Sequence, residues 1–359
     1  MGVFAVLLLV PILMQHIGVK GYHIEPEKKN RRALGFFFLF LTLLIMLRHE
    51  SIGNDTGNYI YYFNVIKGLS WKQVGNFSLE IGFSVFNKVV SLFSREPQFF
   101  LSVAAVAVSA MIFPTYKRLC KDSSLTIVLY CIMSTFVMMF SGIRQMMAVA
   151  IGFVAYEFTR KKKLVPFIIT VLAAILFHTS AFMLAFMYPL YHARITKKWL
   201  YVVVPVLAVI FIFNEQIFGV LGLILERYTE FEGTIEPTGA YTMIILFAIF
   251  AVFCYLIPDE TKLDDETIGL RNFLLLSLAI QMFAPLNTVA MRIGYYYIIF
   301  IPLLLPKVIA IRSTRWSQVA VWARNIMVVF FFVYFFYNAF TSESALSVFP
   351  YHFFWETVG

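Results

Sequence analysis

The sequence predicts an all-α, polytopic integral membrane protein, and three observations support that fold class. First, 60% of the 359 residues are hydrophobic and only 14% are charged, whereas soluble domains average about 45–50% apolar and about 25% charged residues. Second, apolar runs approaching the roughly 20 residues that span a bilayer recur along the chain. Third, Lys and Arg gather between those runs, as the positive-inside rule expects of cytoplasmic loops. The same rule explains the net charge of +9 without a nucleic-acid partner.

Apolar runs and basic clusters alternate in an order that predicts the topology. The runs begin near residues 2, 33, 98, 123, 145, 199, 240, 272, 293 and 325. The basic clusters lie within 20–32, 117–121, 160–163, 194–198, 258–271 and 307–324. If every cluster is cytoplasmic, the chain must cross the membrane an even number of times between neighbouring clusters. That requirement predicts about 12 transmembrane segments, with residues 81–93 forming a re-entrant or interfacial half-helix.

We expect a single transmembrane domain over residues 1–359, with three extracytoplasmic segments. Residues 48–97 are predicted to form a polar loop with the half-helix, 214–240 a loop with an interfacial helix, and 341–359 a C-terminal tail. Met1 to Leu13 lacks a basic start, so we interpret it as a first span rather than a cleaved signal peptide. The three cysteines lie in or beside apolar runs without metal-ligand spacing, and we expect them to pack there: Cys120, Cys131 and Cys254.

The predicted topology places five polar side chains on the outer face of the membrane: Arg48, Asp55, Arg144, His178 and Arg292. A cation at the membrane edge costs energy unless it is paired or hydrated, which suggests function. Each arginine could instead be a topology anchor whose side chain snorkels to the interface. Arg144 and Arg292 in one site would suit a diphosphate, because guanidinium groups bind phosphate oxygens through bidentate, charge-assisted hydrogen bonds.

His178 is the histidine that lies deep in an apolar run, Leu-Phe-His-Thr-Ser-Ala-Phe. Its ordinary pKa near neutrality suits a general base, although a core histidine is more often simply hydrogen-bonded. Asp55 could serve as the base instead, or it could orient an acceptor hydroxyl. Glu80 precedes the predicted half-helix, where an acidic side chain is expected to cap the helix N-terminus.

Motifs that the chain lacks narrow the chemistry. It contains no Walker loop, dinucleotide fingerprint, HExxH helix or GxSxG elbow, so nothing in the sequence indicates nucleotide-driven or zinc-based chemistry. We therefore expect no cofactor and no metal. An outward site with arginines, a histidine and carboxylates fits either group transfer from a lipid phosphate or proton-coupled transport.

Six short motifs occur in an order and spacing more specific than any one of them. They are Arg48 with Gly53-Asn54-Asp55-Thr56 and Tyr59, then Glu80-Ile81-Gly82-Phe83, Gly142-Ile143-Arg144-Gln145 with Ala148, Phe177-His178-Thr179-Ser180-Ala181, Arg292 before an aromatic stretch, and Phe349-Pro350-Tyr351. In this pattern the chain resembles the EpsG family of Wzy-like polysaccharide polymerases over most of its length. Asn54 stands where that family more often has Thr.

The resemblance implies a GT-C-like membrane glycosyltransferase that works without a metal or cofactor. Donor and acceptor would both be undecaprenyl-diphosphate-linked oligosaccharides, joined on the periplasmic or extracellular face of a bacterial plasma (inner) membrane. The lipid bilayer, a flippase and a chain-length regulator are the further partners it implies. Two alternatives come from other classes: a glycan flippase or exporter, and a membrane acyltransferase that modifies glycans, for which His178 would be central.

The resemblance also implies a role for each motif residue. Arg144 and Arg292 would bind the donor diphosphate, and His178 or Asp55 would take the acceptor proton. The remaining motif residues would bind substrate: Arg48, Tyr59, Glu80, Gln145 and Tyr351.

Overall fold

The structure, a computed structural model, describes residues 2–16, 25–224, 237–341 and 347–358. Within these ranges the chain is helical apart from turns and isolated bridges, and no strand forms, so the all-α prediction is confirmed there. The chain divides into two compact units: Met1–Ala185 with Ala323–Gly359 (unit 1), and Phe186–Trp322 (unit 2). Three predicted features fall partly outside the described residues: the basic cluster around Lys20, the middle of the 214–240 loop and the start of the 341–359 tail.

Unit 1 is built mainly from the first half of the chain. Its helices are α1 (Gly2–His16), α2 (Pro26–Leu47), α3 (Thr56–Ile66), α4 (Trp71–Gly75), α5 (Ile81–Ser91), α6 (Pro97–Leu119), α7 (Ser123–Ile132), α8 (Ser134–Ser141), α9 (Ile143–Arg160) and α10 (Leu164–Ile175). A 3₁₀-helix (Thr179–Phe186) follows α10 and reaches the boundary with unit 2.

Unit 2 contains the next group of helices. They are α11 (Met187–His192), α12 (Leu200–Ile212), α13 (Asn214–Ile224), α14 (Pro237–Leu256), α15 (Asp265–Gln281), α16 (Thr288–Ile293), α17 (Tyr295–Ile298) and α18 (Ile301–Ala310). The last helix, α19 (Ser317–Thr341), starts in unit 2 and continues into unit 1. Helix α13 overlaps the interfacial helix expected within 214–240.

The core of unit 1 forms where α2, α6 and α9 pack together, with α1 and α7 beside them. Helix α2 begins at Pro26, whose fixed φ suits the first helical turn, and ends at Leu47 because Arg48 is extended. Its buried apolar residues recur at helical spacing: Ala33, Leu34, Phe37, Phe38, Leu41, Leu44 and Ile45. On the same face, the hydroxyls of Thr42 and of Ser109 on α6 share a hydrogen bond at 2.7 Å.

A polar cluster around Asp122 ties the last helix to the first ones within unit 1. The Asp122 carboxylate caps α7 by accepting a 3.2 Å hydrogen bond from the backbone N–H of Leu125. It also receives two hydrogen bonds from the guanidinium of Arg324 on α19, at 2.7 and 3.1 Å. Gln15 of α1 donates to both Asp122 and Asn30 of α2. A bidentate arginine–carboxylate pair fixes orientation as well as distance, so it fixes α19 against α7, and Gln15 connects α1 and α2 to the same cluster.

In unit 2, α15 packs against α11, α14, α17 and α18, and charged side chains cluster near its N-terminus. The side chain of Arg271 is 0% exposed and pairs with Glu260 at 3.0 Å. Its guanidinium carbon lies 4.3 Å from the centre of the Tyr255 ring. Lys307 of α18 reaches Asp264, the residue before α15, at 2.8 Å. A buried cation is costly without a partner, and here each one has a carboxylate.

The helices support a membrane protein. Three described helices are long and apolar enough to cross a bilayer. Three bent pairs of helices bring the number to six if each pair counts as one span. Four shorter apolar helices lie beside these in the described residues. One bent pair is α7 with α8, which meet at 65°. Helix α5 occupies the range predicted for the half-helix. The total of about 12 spans and the single transmembrane domain stay predictions.

The polar loop after α2 is held by the C-terminal segment. The backbone N–H of His49 donates to the carbonyl of His352 at 2.9 Å, and that of Gly53 to Ser347 at 3.2 Å. Gly53 has a φ of 84°, a conformation that side chains with a Cβ rarely adopt. A Cβ at this position would also collide with the carbonyl of Phe140. Gly53 is therefore required where the loop passes the end of α8.

Replacing Gly53 with alanine should lower the free energy of unfolding by about 1–3 kcal/mol, because the positive φ and the collision both strain the folded chain. The matched control is Gly57→Ala, since a Cβ there meets no atom within 4 Å. Thermal melting of the purified protein in detergent measures the effect. Equal melting temperatures for both variants would contradict the structural requirement at Gly53.

Candidate functional site

Four helical segments of unit 1 start next to one another, each with a predicted site residue at its start. Helix α3 begins after Asp55, α5 begins after Glu80, and the 3₁₀-helix begins after His178. Arg144 is the second residue of α9. We call this place the helix-start site. Helix N-termini carry free backbone N–H groups and the positive end of the helix dipole, so their convergence suits an anion.

An ion pair joins two of these starts. Arg144 Nη1 donates to Glu80 Oε2 at 2.7 Å, and the two side chains are 27% and 19% exposed. The Arg144 guanidinium carbon also lies 6.0 Å from the centre of the Tyr59 ring on α3. Arg144 Nε is buried without a hydrogen-bond partner among the described residues. The Arg144 guanidinium thus bonds Glu80 and Tyr59, and its Nε keeps an unused donor.

A close approach of α5 to the end of α10 brings Glu80 to its second group of partners. The backbone N–H of Gly82 donates to the carbonyl of Leu176 at 2.8 Å, and any Cβ on Gly82 would collide with Leu176. This places Glu80 Oε1 within 3.4 Å of the Thr179 backbone nitrogen and 3.5 Å of its hydroxyl. Glycine at 82 is what permits the contact.

The Glu80 carboxylate is surrounded by hydrogen-bond donors and positive charge. Burial by itself raises the pKa of Glu80, but Arg144, a backbone hydrogen bond and His178 outweigh it, so the pKa falls below its usual value. Opposite charges and hydrogen bonds to a carboxylate favour its ionised form. Glu80 is the residue before α5, as the sequence predicted, but its side chain makes no capping hydrogen bond. The capping interpretation is corrected: the carboxylate bonds Arg144 instead.

The ring of His178 is oriented by Ser180. The backbone N–H of Ser180 lies 3.3 Å from His178 Nδ1, and its hydroxyl lies 2.7 Å from the same nitrogen. A backbone N–H can only donate, so Nδ1 must be the acceptor. The neutral ring then carries its proton on Nε2. In this form His178 is a hydrogen-bond donor at Nε2.

Asp55 joins the site through the turn before α9. Its backbone N–H donates to the Ser141 hydroxyl at 3.3 Å, and that hydroxyl lies 3.4 Å from Asp55 Oδ2. The neighbouring Thr56 donates its hydroxyl proton within this turn region, to Ile52 at 2.6 Å. Asp55 is half-buried, which leaves its carboxylate accessible at the rim of the site.

Arg48 and Tyr351 both hydrogen-bond to backbone carbonyls near the end of α2. Arg48 is 0% exposed, with Nη1 bonded to the carbonyl of Ile45 and Nε to the Thr56 hydroxyl. Burial lowers its pKa to about 10, which leaves it charged at neutral pH. The Tyr351 hydroxyl donates to the carbonyl of Leu44 at 2.7 Å. We expected both residues to bind substrate; Arg48 is fully buried in this structure, and the substrate role of each stays a prediction.

The other predicted site residues lie elsewhere. Gln145 is buried within α9 at 3% exposure, next to Arg144 in the chain. Arg292 is exposed on α16 in unit 2, so its predicted partnership with Arg144 stays a prediction. The three tyrosines that follow Arg292 are buried: Tyr295, Tyr296 and Tyr297.

Sequence reasoning assigned no role to three residues that shape the site. Thr179 and Ser180 stand within the quoted His178 motif, and Ser141 lies in the turn before α9. Each is a hydroxyl residue at a helix start or end, which is the available sequence signal. No group of three or more His, Cys, Asp or Glu side chains in the described ranges could hold a metal ion.

Comparison with known proteins assigns the chain to a family. The model of the EpsG family matches residues 32–353, a range that contains the whole helix-start site. No curated protein and no solved structure matches the chain. Because the match covers most of the chain, this protein belongs to the EpsG family, a family of Wzy-like polysaccharide polymerases.

Proposed function

We propose that this protein polymerises a polysaccharide by joining undecaprenyl-diphosphate-linked oligosaccharide repeat units through metal-independent glycosyl transfer. The observation that carries the proposal is Arg144, held beside Glu80 and Tyr59 where four helical segments begin. Membership of the EpsG family supports the class of reaction. The donor, the acceptor and a GT-C-like fold are parts of the proposal.

Arg144 is suited to the charge that this reaction develops. The bond between the sugar and the diphosphate breaks, and the diphosphate leaves with the electron pair as the acceptor oxygen attacks. Fixed donors aimed at such a growing negative charge stabilise the transition state. Arg144 supplies a guanidinium, and the α9 N-terminus on which it stands adds backbone N–H groups. In this proposal Arg292 contributes a second guanidinium to the diphosphate.

Helix α9 supports an outward-facing site in the plasma membrane. Arg144 stands at its N-terminal end, and Arg160 with the exposed Lys161, Lys162 and Lys163 lies at its C-terminal end. Its 18 residues correspond to about 27 Å at 1.5 Å per residue, and its charged side chains, Arg144, Glu157 and Arg160, lie at its two ends, outside the apolar stretch between them. Basic clusters favour the cytoplasmic side, so the opposite end of α9 faces the periplasm or the exterior.

Replacing Arg144 with alanine should lower the rate of polymerisation about 10²-fold, because a charge-stabilising donor is lost. Arg144→Lys should recover part of the rate, since a lysine keeps the charge but not the planar donor geometry. Polymerisation of purified lipid-linked repeat unit, followed by gel electrophoresis of the glycan, measures both.

The matched control is Arg118→Ala at the other end of unit 1's core helices. Arg118 also pairs with a glutamate, Glu157, at 2.8 Å. The Arg118→Ala variant should polymerise at the wild-type rate. Wild-type polymerisation by Arg144→Ala would overturn the proposed function.

Single cysteines should report the orientation of α9. The three native cysteines are buried, so a membrane-impermeant maleimide should not label them. In intact cells Asn58→Cys should react, whereas Lys161→Cys should react only after permeabilisation. Both positions are exposed. The reverse pattern would place the helix-start site in the cytoplasm.

A further inference from the structure

The Glu80 carboxylate occupies an anion-binding arrangement within the protein. One oxygen accepts from the Arg144 guanidinium at 2.7 Å, and the other faces the Thr179 backbone N–H at 3.4 Å and its hydroxyl at 3.5 Å. A guanidinium, a backbone N–H at a helix start and a hydroxyl are the donors that bind phosphate oxygens. A diphosphate bound by Arg144 would therefore compete with Glu80.

Glu80 can leave these donors at little cost to the fold. Its side chain makes no capping hydrogen bond to α5, so its departure breaks no bond of its own helix. The Arg144–Glu80 pair is partly exposed, and Thr179 is exposed. An anion that enters from the water side takes over both sets of donors, so no charge is left unpaired when Glu80 leaves.

His178 is poorly placed to act as the base in this arrangement. Its Nδ1 accepts from the Ser180 backbone N–H, so the neutral ring holds its proton on Nε2 and donates from there. A base must instead offer a free lone pair to the acceptor hydroxyl. The carboxylates at the site offer such lone pairs. Asp55 shares one oxygen with the Ser141 hydroxyl, whereas Glu80 stands against the residue that binds the leaving group.

Resting on the proposed function, we propose that the donor diphosphate displaces Glu80 from Arg144 and that the freed carboxylate takes the proton of the acceptor hydroxyl. The acceptor oxygen forms a bond to the anomeric carbon of the donor sugar. The bond from that carbon to the diphosphate oxygen breaks, and the diphosphate keeps the electron pair. The hydroxyl proton moves to a Glu80 oxygen, so atoms and charge balance.

This exchange links donor binding to activation of the acceptor. While Arg144 holds Glu80, the carboxylate is kept ionised by its partner. Losing that partner and gaining an anionic neighbour both favour the protonated form of a carboxyl group. Glu80 therefore becomes a stronger proton acceptor only when a donor is bound. Hydrolysis and unproductive deprotonation in the empty site are thereby disfavoured.

Glu80→Gln separates the two halves of the proposal. Binding of undecaprenyl diphosphate to the purified protein in detergent should be at least as tight as in the wild type, because the competing carboxylate is gone. Polymerisation of the lipid-linked repeat unit should fall about 10²-fold, because the proton acceptor is gone. A merely structural ion pair predicts weaker binding together with slower polymerisation. That joint loss would overturn the proposal, as would wild-type polymerisation.

Two further variants sharpen the comparison. Glu157→Gln removes a carboxylate that also pairs with arginines, and it should leave binding and polymerisation unchanged. His178→Gln keeps an N–H donor, so it should lose less activity than Glu80→Gln. A His178→Gln loss as large as that of Glu80→Gln, with diphosphate binding intact, would assign the proton to His178 and overturn the proposal.

The outcome also separates this inference from the proposed function. Suppose that the wild-type protein polymerises, that Arg144→Ala is inactive and that Glu80→Gln is fully active. The role of Glu80 is then wrong, while the proposed function stands. If the wild-type protein does not polymerise the repeat unit, the proposed function is wrong. The comparison of diphosphate binding between the wild type and Glu80→Gln still tests whether the diphosphate displaces Glu80.

If Glu80→Gln does not fold, Glu80→Asp is the variant to measure, since its shorter side chain loosens the pair with Arg144. It should bind undecaprenyl diphosphate more tightly and still polymerise, and unchanged binding would overturn the exchange.

Discussion

The ion pair between Arg144 and Glu80 is the interaction on which the account of the site depends. It links the start of α9 to the start of α5, and through Thr179 it reaches the 3₁₀-helix. Its importance lies in its position, since it places a guanidinium and a carboxylate where the positive ends of several helix dipoles meet. An anionic substrate and an ionisable group can both use that position.

Other ion pairs in the protein have a structural role. Asp122 and Arg324 form a bidentate pair that joins α7 to α19 in unit 1, and Arg271 with Glu260 fixes a fully buried guanidinium in unit 2. Breaking the Arg271–Glu260 pair would leave a fully buried, uncompensated charge. These pairs hold helices together, whereas the Arg144–Glu80 pair stands where four helical segments begin.

Much of this arrangement could be predicted from the sequence. The apolar composition and its period indicate membrane helices. Glu80 and Arg144 each stand where an apolar run starts, whereas Asp55 lies in a polar loop and His178 lies deep in an apolar run. Their partners could not be predicted, because partners depend on tertiary approach. Glu80 was expected to cap α5, but the close contact of Gly82 with Leu176 turns it towards Thr179 and Arg144. Arg48 was expected at substrate, and packing against the C-terminal segment buries it. No proline or glycine lies at the bend between α7 and α8 at Met133, so the bend could not be predicted from residue type.

An experimental structure of the protein bound to undecaprenyl diphosphate in a lipid nanodisc would test the exchange at Arg144 directly. We expect density for the two phosphates against the Arg144 guanidinium and the Thr179 backbone N–H, with the Glu80 carboxylate turned away from Arg144. Density for the diphosphate elsewhere, with the 2.7 Å Arg144–Glu80 pair still intact, would contradict it.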